Sequence, residues 1–237
     1  MFSPQGPTLR ELAVQALSSI EHGYDLLAPK FDETPFRTPA GVLDAVAAAL
    51  EPLGPFGSGV DLCCGTGAGA GVLRGLCEQR VVGVDFSDGM LRAARAAEPD
   101  LDWVRADVRR LPFRPGFDLA VSFGAFGHFL PGERPRLFAQ AYGALRPGGL
   151  FAFPIAAPAR VGSWPYVALW GFDAAMRVRN ALLRPTFVMY YRTFQLPVVR
   201  QELEQAGFEV STVPLTALGE LPDGSPRCRM VLARRPG

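Results

Sequence analysis

The sequence predicts a doubly wound α/β fold built on a mostly parallel sheet, and three observations lead to this prediction. Short apolar runs alternate with helical patterns between residues 60 and 155, which is typical of parallel strands buried on both faces. A glycine-rich loop follows the first apolar run, and an acidic residue ends the second. In open α/β sheets, ligands bind beyond the carboxyl ends of the strands, where both features are expected to lie.

Composition limits the class of protein further. With 237 residues, 49% hydrophobic and 20% charged, the chain is long and apolar enough to bury a core. A net charge of +1 gives no general attraction to nucleic acid or anionic membranes. Cys63, Cys64, Cys77 and Cys228 match neither a disulfide framework nor a zinc pattern, so we expect reduced thiols. The start lacks a signal-peptide pattern and no apolar run is long enough to span a bilayer, which predicts a cytoplasmic protein.

Two helices are predicted before the sheet begins. Thr8 and Glu11 have the spacing of a capping box, which places a helix start at Thr8. A second helix is expected over Ala40–Leu50, and the turn-rich stretch "EPLGPFGSG" is expected to be a linker.

The alternating region predicts five strands and three helices. The strands are expected at Val60–Cys63, Val81–Val84, Trp103–Ala106, Leu119–Phe123 and Leu150–Ile155. The helices are expected at Gly67–Gln79, at Asp88–Ala97 and at Arg134–Leu145, the last closed by "RPGG". An aromatic-rich segment follows to about Phe194, then a helix with Pro197 in its first turn, a strand over Glu209–Val213 and a last strand in "RCRMVLARR".

The loop after the first strand, "VDLCCGTGAGAG", carries the first functional indication. Glycines allow positive φ and remove the Cβ atoms that would keep a ligand from the backbone, although they can equally serve tight helix–strand packing. Asp85 ends the second strand, where a carboxylate can accept hydrogen bonds from both hydroxyls of a ribose. Asp85 could instead cap the next helix, but Ser87 is the better cap and would leave Asp85 free.

At this point the chain resembles the class I S-adenosylmethionine-dependent methyltransferases. Asp61, Gly65 and Gly67 fit their first motif, of the D/E-x-G-x-G-x-G type, with Cys63 in place of its first glycine. The resemblance continues in order through "YDLLAPKFD", "RADVRRLPF", "FDLAVSFGAFGHF", "ALRPGGLFAF" and "LEQAGFEV".

The resemblance implies a Rossmann-like sheet of seven strands, mostly parallel with one antiparallel strand, and a helical, aromatic cap. It also implies that S-adenosylmethionine is the cofactor, with Asp61 placing the amine, Asp85 the ribose and Asp107 the adenine amino group. The cofactor-binding residues that it implies are Tyr24, Asp61, Cys63, Gly65, Gly67, Asp85, Phe86, Met90, Asp107, Val108 and Phe123.

Four segments with different roles are expected along the chain. Residues 1–57 would cover the cofactor site, residues 58–155 would form the cofactor-binding core, residues 156–196 would cap the substrate, and residues 197–237 would complete the core. Aromatic side chains of the cap could line a substrate pocket, or they could form its own core or a dimer contact. The substrate-binding candidates are Trp164, Tyr190, Tyr191 and Arg192.

The predicted reaction is transfer of a methyl group to O, N or C of a small organic molecule, by a monomer or homodimer. His128 is the best placed general base, since imidazole transfers protons near neutral pH; it could instead only pack or orient the substrate. "SFGA" differs from the N-P-P-Y of nucleic-acid amino-methylating enzymes, and the sequence offers no acidic cluster for a metal. Two alternatives remain: a non-catalytic binding module of the same fold, and an NAD-dependent oxidoreductase, which fits the glycine spacing poorly.

Overall fold

Seven strands form a single mixed sheet in the computed structural model, which describes residues 6–190 and 194–237. The strands are β1 Phe56–Leu62, β2 Cys77–Asp85, β3 Asp102–Arg105, β4 Phe117–Val121, β5 Leu145–Ala156, β6 Glu209–Pro214 and β7 Cys228–Arg234. The helices are α1 Leu9–Leu17, α2 Ile20–Leu27, α3 Ala40–Leu50, α4 Ala68–Leu76, α5 Asp88–Ala97, α6 Arg134–Ala144, α7 Trp164–Leu182 and α8 Leu196–Gln205.

The strand order explains where a ligand site can form. The sheet runs β3-β2-β1-β4-β5-β7-β6, with β7 antiparallel to both of its neighbours and the other pairs parallel. The chain winds outward from β1 in one direction and from β4 in the other, so a crevice opens between the carboxyl ends of β1 and β4. The predicted doubly wound fold, with one antiparallel strand among seven, is confirmed.

Two apolar layers hold helices against the two faces of the sheet. On one face, α6 and α8 pack through Phe138 and Leu203 against Val60, Phe151 and Phe153. On the other face, α3 and α4 pack against the opposite side of the same strands, with Val46, Leu50, Ala70, Leu73, Leu119, Val121 and Met230 fully buried. Because side chains alternate along a strand, strands that are apolar throughout serve both layers.

Some predicted elements have the structure that the sequence indicates. The Thr8–Glu11 capping box is present, α3 and α5 have the predicted bounds, and Ser87 Oγ caps α5 by accepting from the Met90 N–H. Pro197 lies in the first turn of α8.

Other predicted boundaries are wrong where polar or glycine residues occupy the first half of a strand. The helix expected to reach Gln79 ends at Leu76, because Cys77 already pairs with Phe56 at the start of β2. The first half of β1 lies in the stretch expected to be a linker. "RPGG" does not follow α6 as a loop but lies inside β5, whose Leu145 pairs with Phe117. Helix α2 was not predicted.

Among the described residues, no helix combines the length and the apolar character needed to cross a membrane.

Candidate functional site

A cleft of about 790 Å³, including the part open to solvent, lies at the carboxyl ends of β1, β2 and β4. The cleft has its floor at the loop after β1 and its roof in α2 and the 3₁₀ segment Ala28–Glu33. It is lined by Ile20, Tyr24, Phe31, Phe36, Arg37, Thr38, Asp61, Cys63, Cys64, Gly65, Thr66, Ala68, Gly69, Asp85, Phe86, Met90, Phe123, Gly124, Ala125, His128 and Phe129.

The loop glycines divide between the two roles that the sequence left open. Gly65 has φ +53°, and a Cβ built on it would meet nothing within 4 Å, so its bare backbone faces the cleft. Gly67 has φ +97°, and its Cβ would lie 2.7 Å from the Trp103 ring. Gly65 therefore leaves room for a ligand, whereas Gly67 leaves room for the packing of a tryptophan.

Cys63 stands where the family motif has a glycine, and its backbone shows why glycine is usual there. Its φ is +59°, in the left-handed region that L residues adopt at a cost of roughly 1–2 kcal/mol. Among the described residues, it is the only non-glycine residue with positive φ. Burial raises the pKa of its thiol well above the ordinary value, and Asp85, Asp61 and Asp107 raise it further. The thiol is therefore protonated and unsuited to nucleophilic attack.

Asp61 is a buried carboxylate without a partner. Its side chain is 1% exposed, and neither carboxylate oxygen makes a hydrogen bond within the part of the chain that the structure describes. Burial raises its pKa well above that of a free carboxyl; the Ala70 N–H, which comes near without meeting hydrogen-bond geometry, opposes this rise, and the Asp85 carboxylate adds to it. A buried acid of this kind is costly unless a cation or donor joins it, so the side of the cleft at Asp61 is prepared for a positively charged group.

Asp85 is not free, which corrects the sequence interpretation. One carboxylate oxygen accepts from the Gly65 N–H at 2.9 Å, and the other accepts from the Ser87 N–H at 2.9 Å. Burial is the largest influence on its pKa and raises it above the ordinary value. Each oxygen keeps a second lone pair. Asp85 thus ties the glycine loop to the start of α5 and can still accept hydrogen bonds from a ligand.

A polar tie that the sequence interpretation missed fixes α2 over the cleft. The Asp25 carboxylate accepts from Ser87 Oγ at 2.6 Å and from the Gly89 N–H at 2.8 Å, at the N-terminus of α5. Helix N-termini attract carboxylates because their first N–H groups lack partners within the helix. The tyrosine–aspartate pair at the start of "YDLLAPKFD" could have indicated Asp25, but the sequence analysis named only Tyr24 as a site residue.

A second tie joins α2 to the turn after β4. Tyr24 Oη lies 2.7 Å from His128 Nε2, and His128 Nδ1 lies 2.8 Å from the Val188 carbonyl oxygen. A carbonyl only accepts, so Nδ1 carries the proton and neutral Nε2 accepts from the Tyr24 hydroxyl. Burial lowers the pKa of His128, which favours this neutral form.

Nine predicted site residues meet at the cleft. They are Tyr24, Asp61, Cys63, Gly65, Asp85, Phe86, Met90, Phe123 and His128. Cleft residues that the sequence interpretation missed include Phe36, Arg37 and Thr38, which follow the roof in the chain and have no pattern of their own in the sequence. Phe31 also lines the cleft and occupies the second aromatic position of "YDLLAPKFD", within the segment expected to cover the cofactor.

The other predicted residues lie elsewhere. Gly67, Asp107 and Val108 are not among the lining residues. The Asp107 carboxylate is held by Arg109, whose Nε lies 2.9 and 3.0 Å from its two oxygens and whose Nη2 lies 2.6 Å from one of them; Arg109 lowers the pKa of Asp107 against the opposing effect of burial.

Two of the predicted substrate residues, Trp164 and Tyr190, are not among the residues that line the cleft. Trp164 is 79% exposed on α7, and Tyr190 is buried against Asn180. Tyr191 and Arg192 lie outside the described residues.

Metal binding has no arranged ligand set in the described part of the chain: no three His, Cys, Asp or Glu side chains there form a group that could hold an ion.

Comparisons with known proteins agree with this geometry. A family model described as "Methyltransferase domain" matches residues 60–149. The chain is 31% identical over 168 residues to an uncharacterized methyltransferase of Synechocystis sp., covering 68% of this chain and 71% of that protein. A crystal structure of an S-adenosylmethionine-dependent methyltransferase from Mesorhizobium loti is 29% identical, with a TM-score of 0.58, covering 83% of this chain and 98% of that one.

A trans-aconitate 2-methyltransferase of Azoarcus sp. is 39% identical over 105 residues, which are 44% of this chain. The chain spans about two fifths of the length of the trans-aconitate 2-methyltransferases that it matches, 41% and 42%. Together with the strand order and the glycine loop, these findings show that the chain belongs to the class I S-adenosylmethionine-dependent methyltransferases.

Proposed function

We propose that this protein transfers a methyl group from S-adenosylmethionine to O, N or C of a small organic molecule. The family and the fold imply use of this cofactor. The observation that carries the proposal is the buried, unpartnered Asp61 carboxylate beside the open backbone of Gly65. A cation-accepting group and an uncovered loop at the switch point suit a ligand that carries both an amine and a nucleoside.

The residues present fit the cofactor. Asp61 would accept from its amine, and the second lone pairs of Asp85 would accept from the ribose hydroxyls. Phe86 and Met90 offer apolar surface for the adenine. Tyr24 and Phe31, from the roof, would close the site against water, which strengthens the electrostatic interactions within it.

Tyr24 and His128 supply a way to remove a proton from the acceptor. When bound, S-adenosylmethionine supplies an electrophilic methyl group on a sulfonium, which needs no further activation by the protein. Since the Tyr24 hydroxyl already occupies His128 Nε2, an acceptor O–H or N–H would give its proton to Tyr24 Oη as the phenol proton passes to Nε2. His128 then acts as the base through Tyr24, while the Val188 carbonyl holds the ring by Nδ1.

The small-molecule class is supported by relatives. Trans-aconitate 2-methyltransferase and demethylmenaquinone methyltransferase are named for small organic acceptors. The likeness to them covers 44% and 53% of this chain.

Residues 156–196 are proposed as the substrate cap. The end of this segment meets the cleft, since the Tyr190 N–H donates to the Gly127 carbonyl at 2.8 Å and Val188 holds His128. This end is better placed to contact an acceptor than Trp164 is.

The first experiment measures cofactor binding by calorimetric titration with S-adenosylhomocysteine. We expect saturable binding, weakened at least about tenfold in Asp85→Ala, since the ribose would lose charged acceptors. Asp100→Ala is the matched control, because this aspartate is exposed and remote from the cleft. No binding by the wild type would refute the cofactor assignment, and equal affinity of both variants would remove Asp85 from it.

The second experiment tests turnover. Wild type and cofactor would be incubated with a panel of organic acids, quinols, phenols and amines, and with a pool of tRNA transcripts, and methylated products would be detected by mass spectrometry. We expect a product from the small molecules. Methylation of the tRNA alone would refute the small-molecule class, and tight S-adenosylhomocysteine binding with no product would favour the non-catalytic module.

The third experiment separates the two roles open to Tyr24. With the acceptor identified, we expect Tyr24→Phe to lower kcat by about 10²-fold or more, as loss of a general base does, with little change in S-adenosylhomocysteine affinity. A change in affinity with kcat retained would assign Tyr24 to the cofactor alone.

A further inference from the structure

Helix α7 turns an apolar face to solvent. Only Asp173 and Met176 are buried along its 19 residues. Its opposite side exposes Trp164 by 79%, Val178 by 59% and Leu182 by 77%. Large contiguous apolar patches on a protein surface mark interaction sites.

The exposed side has a regular spacing. Trp164, Ala168, Gly171, Ala175, Val178 and Leu182 follow one another at intervals of four, three, four, three and four residues. All six are exposed and none carries a charge. This spacing is that of a helix seam that packs on a second helix, and we call these six residues the α7 seam. The alanines and the glycine at its centre would let a second helix axis approach closely.

We propose that the α7 seam is the interface of a homodimer, in which α7 of one copy packs antiparallel on α7 of the other. A two-fold axis beside residue 173 pairs Trp164 with Leu182, Ala168 with Val178, and Gly171 with Ala175. The largest pair lies at the two ends of the seam and the smallest at its centre, and the two-fold axis repeats every pair, so one surface serves both copies, as an isologous interface requires.

The exposed area is sufficient for such a dimer. The seam and its rim at Val161 and Val167 expose on the order of 700 Å² on each copy, the upper limit of what the contact can bury, if a Trp side chain contributes about 200 Å². A standard interface buries about 800 Å² from each partner. With no charge in the seam, association carries no penalty for burying ions.

Trp164, predicted from the sequence to bind substrate, takes its place in this interface. The interface leaves the cleft untouched, so the proposal does not depend on the methyltransferase assignment.

The test is the mass of the protein in solution, measured by sedimentation velocity without cofactor or acceptor. We expect a dimer at micromolar concentration. Ala168→Glu places two carboxylates in the seam and should raise the dimer dissociation constant at least about tenfold. Ala181→Glu is the matched control, because it makes the same substitution on an exposed position about a quarter-turn away from the centre line of the seam, and it should leave the dimer intact.

A charge exchange tests the register. Val178→Lys alone should also weaken the dimer. Combined with Ala168→Glu it should restore most of the affinity, since each new carboxylate would face a new ammonium of the other copy. These positions are ten residues apart and do not pair within one helix.

A monomeric wild type, or a dimer that all these variants leave unchanged, would overturn the proposal. A monomer that binds phosphatidylglycerol vesicles through the same residues would overturn it in favour of a membrane surface.

Discussion

Cys63 has a backbone conformation that glycine adopts at little cost but that is unfavourable for a residue with a Cβ. At φ +59° its backbone is strained, while its side chain packs against the buried core. Packing and strain therefore oppose one another at this position.

Comparing two substitutions at Cys63 isolates the strain. Both Cys63→Ala and Cys63→Gly remove the sulfur, but only glycine relieves the positive φ. We expect Cys63→Gly to be more stable than Cys63→Ala by about 1 kcal/mol, the reverse of the order at an ordinary position. Urea unfolding of both variants would measure the difference. A more stable alanine variant would show that the loop relaxes to negative φ.

A second prediction concerns Asp61, where one substitution should change folding stability and ligand binding in opposite directions. Its raised pKa means that the folded state holds the proton more tightly than the unfolded chain. The cost of ionising it is thus absent below the unfolded pKa near 3.9 and grows as pH rises. At pH 7, Asp61→Asn should stabilise the ligand-free protein by about 1 kcal/mol or more and weaken S-adenosylhomocysteine binding.

Thermal melting across pH and calorimetric titration would check this prediction. Asp118→Asn is the matched control, since Asp118 is also buried but pairs with Arg146 and accepts from the Ser58 N–H at 2.7 Å. That substitution should destabilise the protein. Loss of stability in Asp61→Asn would mean that the carboxylate has a donor in solution.

At the scale of elements, the contact between α2 and α5 decides how the roof sits on the cleft. Gly89 lies under α2, where a Cβ would come within 2.8 Å of Asp25 Cα and 2.9 Å of its carbonyl oxygen. These are backbone atoms, which cannot rotate away as a flexible side chain can. The glycine is therefore needed for close approach of the two helices.

Gly89→Ala should push α2 away from the core. We expect faster amide exchange over Ile20–Leu27 and S-adenosylhomocysteine affinity lower by about tenfold, with the sheet unchanged. Gly71→Ala is the control, because a Cβ there meets nothing within 4 Å. Equal exchange in both variants would show that the roof does not depend on this contact.

The elements that the sequence predicted well are those whose signals are local. The start of α1 has its capping box, and α5 has a serine cap and a clear apolar face. The strand starts at Cys77 and Leu145 were missed because they are defined by pairing with Phe56 and Phe117, which lie far away in the chain. The local sequence pattern does not reveal pairing between residues that are distant in the chain.

For the whole molecule, the bond between Tyr24 and His128 joins residues 104 positions apart and ties the roof to the sheet. The site could be predicted on the strand side, since Asp61 and Asp85 lie at the carboxyl ends of β1 and β2 and Gly65 is in the loop that follows β1. The roof and the route of the proton could not, because they depend on how α2 lies over the sheet. For that reason His128 was predicted from the sequence, but its hydrogen bond with Tyr24 was not.

The tie should make the folded protein sensitive to acid. Because burial lowers the pKa of His128, the folded state binds this proton less readily than the unfolded chain, so stability rises with pH. This contribution is complete above the unfolded pKa near 6.5 and is lost as pH falls below it.

His128→Gln should remove up to about 1.4 kcal/mol per pH unit from the dependence of stability on pH below 6.5. His22 is the other histidine of the chain and is exposed, so His22→Gln should leave the dependence of stability on pH unchanged. Melting temperatures from pH 5 to 8 would show this, and parallel curves for wild type and His128→Gln would contradict it.

The chain has three tryptophans, and their positions make each a separate optical reporter. Trp103 covers Gly67 behind the loop, with its indole N–H donating to the Glu98 carbonyl at 3.0 Å, whereas Trp164 and Trp170 lie exposed on α7. Replacing the two α7 tryptophans with phenylalanine would leave fluorescence that follows the loop alone. Replacing Trp103 would leave emission that follows the surface of α7, so events at the loop and at the helix could be recorded separately without adding a dye.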